Sequence, residues 1–325
     1  MNRSNITLII LFCLAVVAPN IALCQKRIDI ISNTKVYENS NHAAFTSLDE
    51  WGGNIYISFR EASFHRATKT DKGVIRILRK EGNKWSTFQT LRINGVDLRD
   101  PYFIKFKNKF LLYTTGYVSE FTKNGWSELS EIKHNARHRI SIWKVREFND
   151  VLYGIGNCYE KWPLLMKSDD GINWNVIKEF RIGGNASEAD LVFADNKLYT
   201  CIRIDSPIGS NSMWGVSEYP FIDFQWSMMN VSVASPEMCL VDKGTILLAG
   251  REYTYNKSLK SQVSLFSIDM NGKVLERIVV DNTGTDQGYA SFCKVNNIYN
   301  MSYYTGKENT SIRLLSFLIK NNKHK

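Results

Sequence analysis

One short pattern recurs six times along this chain of 325 residues. In each copy, a turn residue is followed by two apolar or aromatic residues and then by a strand-like run that ends in a polar group. The first apolar positions of the copies are Ile55, Phe110, Leu152, Leu198, Ile246 and Ile298. Spacings of 42 to 55 residues are typical of four-stranded propeller blades with loops of unequal length. The repeat therefore predicts an all-β chain that folds as a six-bladed β-propeller of four-stranded antiparallel blades.

The segments between the copies agree with this prediction. The runs that start at Ile75, Leu164 and Val263 each read as a strand, a tight turn and a second strand. No stretch has sustained helical periodicity, and no linker rich in Pro, Gly or Ser divides the chain. We therefore predict one domain over residues 25–325. The strand-like residues 28–37 precede the copies, and we expect them to pair with the last blade and close the ring.

The first 24 residues read as an export signal. Arg3 is the one charge before an apolar run over residues 6–18, which has the length of a signal-peptide core and is too short to span a bilayer comfortably. Small residues precede Gln25 at the positions that a signal peptidase reads, and acylation of Cys24 is the alternative. No other apolar run is long enough to cross a membrane. The sequence predicts an exported monomer without a transmembrane segment.

Composition limits the partners and the cofactors. Lys and Arg number 41 against 32 Asp and Glu, and the resulting charge of +9 favours anionic partners. Phosphate-binding Gly-rich loops and the HExxH zinc motif are absent from the sequence. His134 and His138 stand in a basic stretch that reads as a solvated loop. We predict no metal and no cofactor, and the export signal argues against nucleic acid as the partner.

The four cysteines after the export signal show no CxxC pair and no metal-like cluster with histidine. They are Cys158, Cys201, Cys239 and Cys293. Three of them stand in apolar strand-like runs, which predicts buried free thiols. One or two disulfides are the alternative in an oxidising compartment.

The position five residues after each first apolar residue carries polar groups. These residues are Arg60, Thr115, Asn157, Arg203, Arg251 and Tyr303. Equivalent positions of a propeller come to equivalent places around its axis, so we predict three arginines around one central opening. The alternative is that these arginines pair with acids between blades.

Residues 168–174, with the sequence SDDGINW, resemble the Asp-box turn of sialidase-type propellers, shortened by one residue. Residues 79–85 look like a degenerate copy. We expect the Asp170 carboxylate to bond amides of the turn and Trp174 to pack between strands.

The second half of the chain resembles the half of sialidases that holds their catalytic residues. NASEADLVFADNKLYTCIR is similar to a segment in which a glutamate, here Glu188, precedes a strand that ends in a substrate-binding arginine, here Arg203. GTILLAGRE resembles the next arginine strand, with Arg251, and GYASFCKVNNIYNMSYY resembles the segment of the nucleophilic tyrosine, with Tyr289. The whole mature chain also resembles a bacterial group described as exo-sialidase-like. The resemblance implies a secreted exo-glycosidase that removes a terminal acidic sugar from a glycan.

One departure stands out. Sialidases begin with a Phe-Arg-Ile-Pro-like run, whereas residues 41–45 here read Asn-His-Ala-Ala-Phe, without arginine. Arg60 or Arg99 is the candidate to fill the gap. A guanidinium matches a carboxylate bidentately, so arginines suit an acidic sugar. The expected substrate-binding residues are Arg60, Arg99, Arg203, Arg251, His42 and Tyr303.

The resemblance also implies the catalytic set. A phenol with a reference pKa near 10 is only about 0.1% ionised at pH 7, so Tyr289 as nucleophile needs a base, and Glu188 is the candidate. Sialidases with a tyrosine nucleophile are a recognised exception to the usual carboxylate pair. The general acid is expected in residues 61–73, where Asp71 fits best and His65 and Glu61 are rivals.

Two other functions stay open. One is a non-catalytic glycan-binding propeller, and the other is a propeller glycosidase or lyase that acts on a uronic acid or another sugar through His42 or His65. Contact between Tyr289 and Glu188 beside Arg203 would favour an enzyme. Residues 97–101, with the sequence DLRDP, are expected either to line the site or to lock one blade to the next.

Overall fold

A computed structural model describes residues 26–157, 162–256, 258–307 and 309–321. The export signal, Cys158 and the tail with His324 lie outside the described residues. The described residues form six β-sheets and no helix. The first strand of each sheet contacts the first strands of its neighbours, which places these strands around a central axis. The prediction of a six-bladed β-propeller is confirmed.

The first three blades follow the order of the chain. Blade 1 consists of β2 (His42–Trp51), β3 (Asn54–Ala62), β4 (Val74–Glu81) and β5 (Lys84–Leu91). Blade 2 consists of β6 (Tyr102–Phe106), β7 (Lys109–Thr114) and β8 (Tyr117–Thr122), with the short β9 (Gly125–Trp126) and β10 (Ser130–Glu131) both paired to β8. Blade 3 consists of β12 (Ser141–Phe148), β13 (Val151–Asn157), β14 (Leu164–Ser168) and β15 (Asn173–Glu179), and β11 (Lys133–His134) adds a fifth, parallel strand.

The last three blades have four strands each. Blade 4 consists of β16 (Ala186–Ala194), β17 (Lys197–Ile204), β18 (Met213–Glu218) and β19 (Gln225–Met228). Blade 5 consists of β20 (Ser232–Asp242), β21 (Thr245–Asn256), β22 (Ser258–Ile268) and β23 (Val274–Asp281). Blade 6 consists of β24 (Asp286–Val295), β25 (Ile298–Gly306), β26 (Thr310–Asn321) and β1 (Lys26–Glu38). The six copies of the repeat are the second strands of the blades.

Blade 6 is completed by the earliest described strand. β1 pairs antiparallel with β26 in a register that runs from Lys26 opposite Asn321 to Glu38 opposite Ser311. This pairing covers the outer edge of β26, which would otherwise present unpaired backbone groups to solvent. The predicted ring closure is confirmed.

The turn at residues 168–174 has the contacts that its sequence predicts. Asp170 Oδ1 accepts hydrogen bonds from the amides of Ile172 and Asn173, both at 2.8 Å. Burial opposes ionisation of Asp170, but the hydrogen bonds from Asn173 outweigh it and lower the pKa to about 2. The Trp174 side chain is buried in a hydrophobic cluster shared by blades 2 and 3. The turn therefore ties the loop to the core.

Three of the four cysteines after residue 24 lie in the described residues. Cys201 and Cys293 are buried, Cys239 is half-buried, and all three are free thiols. Over the part of the chain that the structure describes, no helix with the length and apolarity of a membrane span is found.

The inner strands carry a shared irregularity near their first residues. The register with the second strand shifts between Ala44 and Ser47, Ile142 and Lys144, Ala186 and Ala189, Ala234 and Glu237, and Gly288 and Ser291. In blade 2, Asp100 has a φ of 49° just before β6. Bulges of this kind re-aim a side chain and are common beside active sites. We refer to the six residues Phe45, Asp100, Trp143, Glu188, Ser235 and Tyr289 as the bulge ring.

Candidate active site

The site lies at the end of the propeller where the inner strands of the blades begin. Glu188 and Tyr289 stand in the bulges near the starts of β16 and β24. Arg203 stands near the end of β17, and Arg251 stands in the second half of β21, opposite the residue just before the bulge of β20. Because first and second strands are antiparallel, these positions meet at the same end of the axis. Blade geometry thus assembles residues from three blades in one place.

Tyr289 and Glu188 are in direct contact. The Tyr289 hydroxyl donates a hydrogen bond to Glu188 Oε1. The Tyr289 ring lies between Phe45, at 4.6 Å between centroids, and Trp143, at 5.9 Å. Its backbone amide donates to Ser235 Oγ at 3.2 Å. Four other members of the bulge ring therefore fix the position of the Tyr289 phenol.

Glu188 is held as a carboxylate. Its Oε2 accepts hydrogen bonds from Arg203 Nη1 at 2.7 Å and from the Ser235 amide at 2.6 Å. Burial raises the pKa of Glu188, but the Arg203 charge and the Tyr289 hydroxyl outweigh this effect and leave the pKa below its usual value. Burial, and then the Glu188 charge, raise the pKa of Tyr289 well above its usual value. The resting pair is a neutral phenol donating to an ionised carboxylate.

Two of the predicted arginines, Arg203 and Arg251, reach the site, and both have acidic partners. Arg203 Nε donates to Asp205 at 2.6 Å, in addition to the bond to Glu188. Arg251 Nη2 donates to Asp286 Oδ1 at 3.0 Å, and its Nε donates to the Gln287 carbonyl. The Arg203 guanidinium lies 6.0 Å from the Tyr253 ring centroid, and Arg251 Nη1 lies 3.5 Å from the Tyr253 hydroxyl. Tyr253 therefore stands between the two guanidinium groups.

Asp286 connects two histidines to this cluster. Its Oδ2 lies 2.7 Å from His42 Nε2 and 2.7 Å from His65 Nδ1. Its Oδ1 accepts a hydrogen bond from the Tyr304 hydroxyl at 2.6 Å. Burial opposes ionisation of Asp286, but the bonds from His42, His65 and Tyr304 outweigh it and hold the pKa well below its usual value. Asp286 is an ionised acceptor for both imidazoles.

The same three residues are the candidate for a metal site. The ligand atoms of His42, His65 and Asp286 lie within 4.8 Å of one another, and zinc takes such donors. However, both nitrogen–oxygen separations are hydrogen-bond distances, and Arg251 already neutralises the carboxylate. A ligating histidine usually donates its other N–H to an acceptor, whereas His42 Nδ1 is buried without a partner among the described residues. The contacts fit a hydrogen-bonded unit better than a cation's ligand shell.

Arg60 does not face the site. Its side chain is 0% exposed, and it donates to Asp97 Oδ1 from Nε and Nη2 and to the Phe64 carbonyl from Nη1. The predicted substrate-binding role finds no support in these contacts, which instead hold the loop of residues 61–73 against blade 2. Pairing with an acid of the next blade was the alternative for this arginine.

Asp71 and Glu61 are also turned away. Asp71 Oδ2 accepts from the Ser63 amide within its own loop. Glu61 is buried and bonds Arg76 and the Tyr37 hydroxyl. Of the three candidates for the general acid, His65 is the one that contacts the cluster.

Tyr303 was placed at the site by the repeat, but the structure places Tyr304 there. Tyr303 is buried between blades, and its hydroxyl donates to Asn33 at 3.0 Å. Arg60 pairs with Ala44, Arg251 with Ala234, and Tyr304 with Gly288, the residue just before each bulge. Tyr304 is therefore the equivalent of the arginines, one residue later than the spacing predicted.

The DLRDP segment does both things expected of it. Asp97 locks Arg60, while Arg99 lies 4.5 Å from the Phe45 ring centroid and donates to the His65 carbonyl at 2.9 Å. Asp100 belongs to the bulge ring, and its Oδ1 is buried without a hydrogen-bond partner among the described residues. Two other residues of the repeat register were Thr115 and Asn157. The Thr115 hydroxyl accepts a hydrogen bond from the Arg99 amide, and the side chain of Asn157 lies outside the described part of the chain.

Three residues of the cluster were missed by the sequence analysis. Asp286 stands three residues before Tyr289 on β24, Tyr253 two residues after Arg251 on β21, and Tyr304 next to Tyr303. The period of two in a strand puts Arg251 and Tyr253 on one face, so this signal was present in the sequence.

Comparisons with solved structures place the fold. An endosialidase of phage phi92 superposes with a TM-score of 0.67 and 9% identity, covering 92% of this chain and 70% of that one. A Trypanosoma rangeli sialidase in complex with the inhibitor DANA gives 0.60 and 11%, covering 90% and 59%. The same sialidase with 2,3-difluorosialic acid as a covalent intermediate gives 0.58 and 11%, covering 89% and 59%. No family model and no curated protein matches the sequence.

The six blades and the site beside the bulges of their inner strands define the class, a six-bladed β-propeller with an ionic cluster where the inner strands begin. Within that class, the fold of this chain is similar to that of the phage endosialidase and of the Trypanosoma sialidase. Identities of 9–12% establish the fold and not the activity. The chain spans 59% of the Trypanosoma sialidase chain.

Proposed function

We propose that this protein is a retaining exo-glycoside hydrolase that removes a terminal acidic sugar from a glycan. The observation that carries the proposal is the hydrogen bond from the Tyr289 hydroxyl to Glu188 Oε1. A phenol becomes a nucleophile when an adjacent base takes its proton. Glu188 is ionised in the resting site, and one of its carboxylate oxygens accepts the hydrogen bond from the Tyr289 hydroxyl.

The raised pKa of Tyr289 suits a proton that moves only during the reaction. Burial and the Glu188 charge disfavour a phenolate in the resting site. As the phenol oxygen attacks the anomeric carbon, its proton passes to Glu188, and the attacking atom never carries a full charge beside the carboxylate. A neutral nucleophile also suits an anionic sugar, which would repel a carboxylate.

Arg203 and Arg251 are proposed to bind the acidic group. Among the described residues, Arg203 Nη2 has no hydrogen-bond partner, and the one contact of Arg251 Nη1 is the 3.5 Å approach to Tyr253. Both guanidinium groups lie close to Tyr253, and these two nitrogens can donate to a carboxylate. The sialidase neighbours support this substrate class, since one binds the inhibitor DANA and one holds difluorosialic acid covalently.

The test is sugar release from a panel of sialosides, ulosonic-acid glycosides and uronides. We expect wild type to release one acidic sugar with retention, and Tyr289→Phe to lose at least about 10²-fold in kcat, since the nucleophile is gone. Tyr303→Phe is the matched control, because its hydroxyl bonds Asn33 away from the site. A Tyr289→Phe variant with full activity would refute the assignment.

A second readout identifies the nucleophile directly. A 2,3-difluoro derivative of the released sugar should leave a covalent adduct on the peptide that contains Tyr289, detected by mass spectrometry. An adduct on another residue, or inversion of the anomeric centre, would contradict the proposed mechanism.

His-based chemistry on a uronic acid is the second candidate. The observation that favours it is the contact of His42 and His65 with Asp286 beside the arginines. A lyase would yield an unsaturated product with ultraviolet absorbance and no incorporation of solvent oxygen. Binding of a panel member without any product would favour the glycan-binding propeller.

We further propose that the protein is exported, on the support of the signal-like residues 1–24. The bonds that Asp170 makes support a shortened Asp-box turn at residues 168–174.

A further inference from the structure

We infer that His65 is the group that protonates the leaving oxygen, and that Asp286 and His42 position it. This inference rests on the proposed hydrolase and replaces the carboxyl group expected in residues 61–73 with an imidazole. It also assigns a role to the cluster of His42, Asp286 and His65, which takes no part in the proposed proton transfer from Tyr289 to Glu188.

The position of His65 is fixed by contacts on three sides. Its Nδ1 lies 2.7 Å from Asp286 Oδ2, and its ring meets the Phe45 ring edge-on at 5.4 Å. Arg99 Nη1 donates to its backbone carbonyl at 2.9 Å. The Phe45 ring also contacts the Tyr289 ring, at 4.6 Å between centroids. His65 and Tyr289 therefore contact the same phenylalanine.

The tautomer of His65 follows from its partner. Asp286 is ionised, because its bonds to His42, His65 and Tyr304 outweigh burial and hold its pKa well below the usual value. An ionised carboxylate only accepts hydrogen bonds, so His65 presents N–H at Nδ1. Nε2 is then the nitrogen left for substrate, and no described residue bonds it. The side chain is 42% exposed, which leaves room for a leaving group.

His42 completes the unit from the buried side. It is 4% exposed, and its Nε2 donates to the same Asp286 oxygen. Its Nδ1 is buried and has no partner among the described residues. His42 thus fixes the Asp286 carboxylate from the buried side, while the exposed His65 donates the proton to the leaving group.

The chemistry balances in two steps. In the first, the Tyr289 oxygen bonds the anomeric carbon, its proton passes to Glu188, and the glycosidic bond breaks. The electron pair of that bond goes to the leaving oxygen. This oxygen takes the Nε2 proton of His65 in its imidazolium form, which leaves the neutral ring with N–H at Nδ1. In the second, water attacks the anomeric carbon and gives a proton to His65, and Glu188 returns its proton to the released Tyr289.

The test compares two leaving groups on one sugar. A general acid matters for a poor leaving group such as a sugar hydroxyl and little for 4-nitrophenol, which departs without protonation. We expect His65→Ala to lose about 10²–10⁴-fold in kcat/KM on the glycan and less than about 10-fold on the nitrophenyl glycoside. His65→Gln repeats the test with a side chain of similar reach, and urea midpoints confirm that both variants fold.

Two further variants separate positioning from structure. Asp286→Asn should show the same dependence on leaving group, since it loses the acceptor that orients His65. Asp71→Asn is the matched control from the same loop, and it should show equal kcat/KM changes on both substrates. Leaving-group dependence in Asp71→Asn and not in His65→Ala would overturn the inference.

Other outcomes are equally decisive. Equal losses on both substrates in His65→Ala would show that His65 does not donate the proton. If Tyr289→Phe is inactive in the same experiment, the proposed hydrolase would still stand, and only the role of His65 would be refuted. Activity lost on dialysis against a chelator and restored by zinc would show that the cluster binds a metal and would overturn the inference. A wild type that cleaves neither substrate would overturn the hydrolase and this inference together.

Discussion

Asp100 offers the sharpest test of the energetics of the bulge ring. Burial raises its pKa from 3.8 to about 6, with Glu188 as the acid that adds to the shift and Arg99 as the base that opposes it. Its Oδ1 is buried without a partner among the described residues. The folded state therefore holds the Asp100 proton to a higher pH than the unfolded chain does. Asp100→Asn keeps the shape of the protonated acid and removes the titration.

The sign follows from the direction of the shift. An acid with a raised pKa contributes stability that is fully present below its unfolded pKa, near 3.8, and that is lost as pH rises through about 6. A shift of about two units corresponds to about 3 kcal/mol at about 1.4 kcal/mol per unit. We expect the free energy of unfolding of Asp100→Asn relative to wild type to increase by about 2–3 kcal/mol between pH 4 and pH 7.5.

Urea unfolding at four pH values across this range measures the difference. The other acid with a pKa raised to about 6, Asp190, is present in both proteins and cancels. Asp169→Asn, which removes an exposed carboxylate, is the control for the substitution itself. A flat difference for Asp100→Asn, or one that shrinks as pH rises, would refute the argument from burial.

Three further outcomes follow from packing. The Lys144 ammonium is 4% exposed and lies 2.6 Å from Glu237, so Glu237→Gln leaves it without its nearest countercharge. Urea unfolding should show that the free energy of unfolding falls by about 3–5 kcal/mol. A fall of less than about 1 kcal/mol would contradict this. Burial raises the pKa of Cys201 to about 12, so peptide mass spectrometry should find it unmodified by iodoacetamide at pH 8 in the native protein and modified in urea. Gly171→Ala should cost about 1–2 kcal/mol in the same unfolding assay, because φ is +83° and a Cβ would lie 2.9 Å from the Tyr113 hydroxyl; an unchanged midpoint would argue against this turn geometry.

Much of the architecture was predictable, because the second strand of each blade is recognisable in the sequence as a turn residue followed by apolar residues. The pairing of β1 with β26 was predictable for the same reason, since the leading strand had no blade of its own. The contact of Tyr289 with Glu188 was implied by resemblance to sialidases, and the structure contains it. Strand periodicity alone would not have paired residues that are 101 positions apart.

The misplacement of Tyr303 has a simple cause. β25 begins at its first apolar residue, Ile298, whereas β3 and β21 each begin one residue before theirs. Five residues counted from the first apolar position therefore reached Tyr303 instead of Tyr304. The His42–Asp286–His65 unit is also beyond periodicity, because its members come from two blades and a loop, with sequence separations of 244 and 221 residues. Sequence reasoning named both histidines but had no means of finding the carboxylate between them.

The strand pair that completes blade 6 also has a consequence for how the chain folds. Lys26 meets Asn321 across 295 residues, whereas most strand pairs within the other blades join neighbours along the chain. Loop-closure entropy makes such a distant contact slow to form, so the local hairpins are expected to precede it. Until β1 arrives, β26 remains an open strand edge, and an open edge is a template for aggregation. The final step of folding is thus also the step at which the protein is most exposed to misassembly with its own copies.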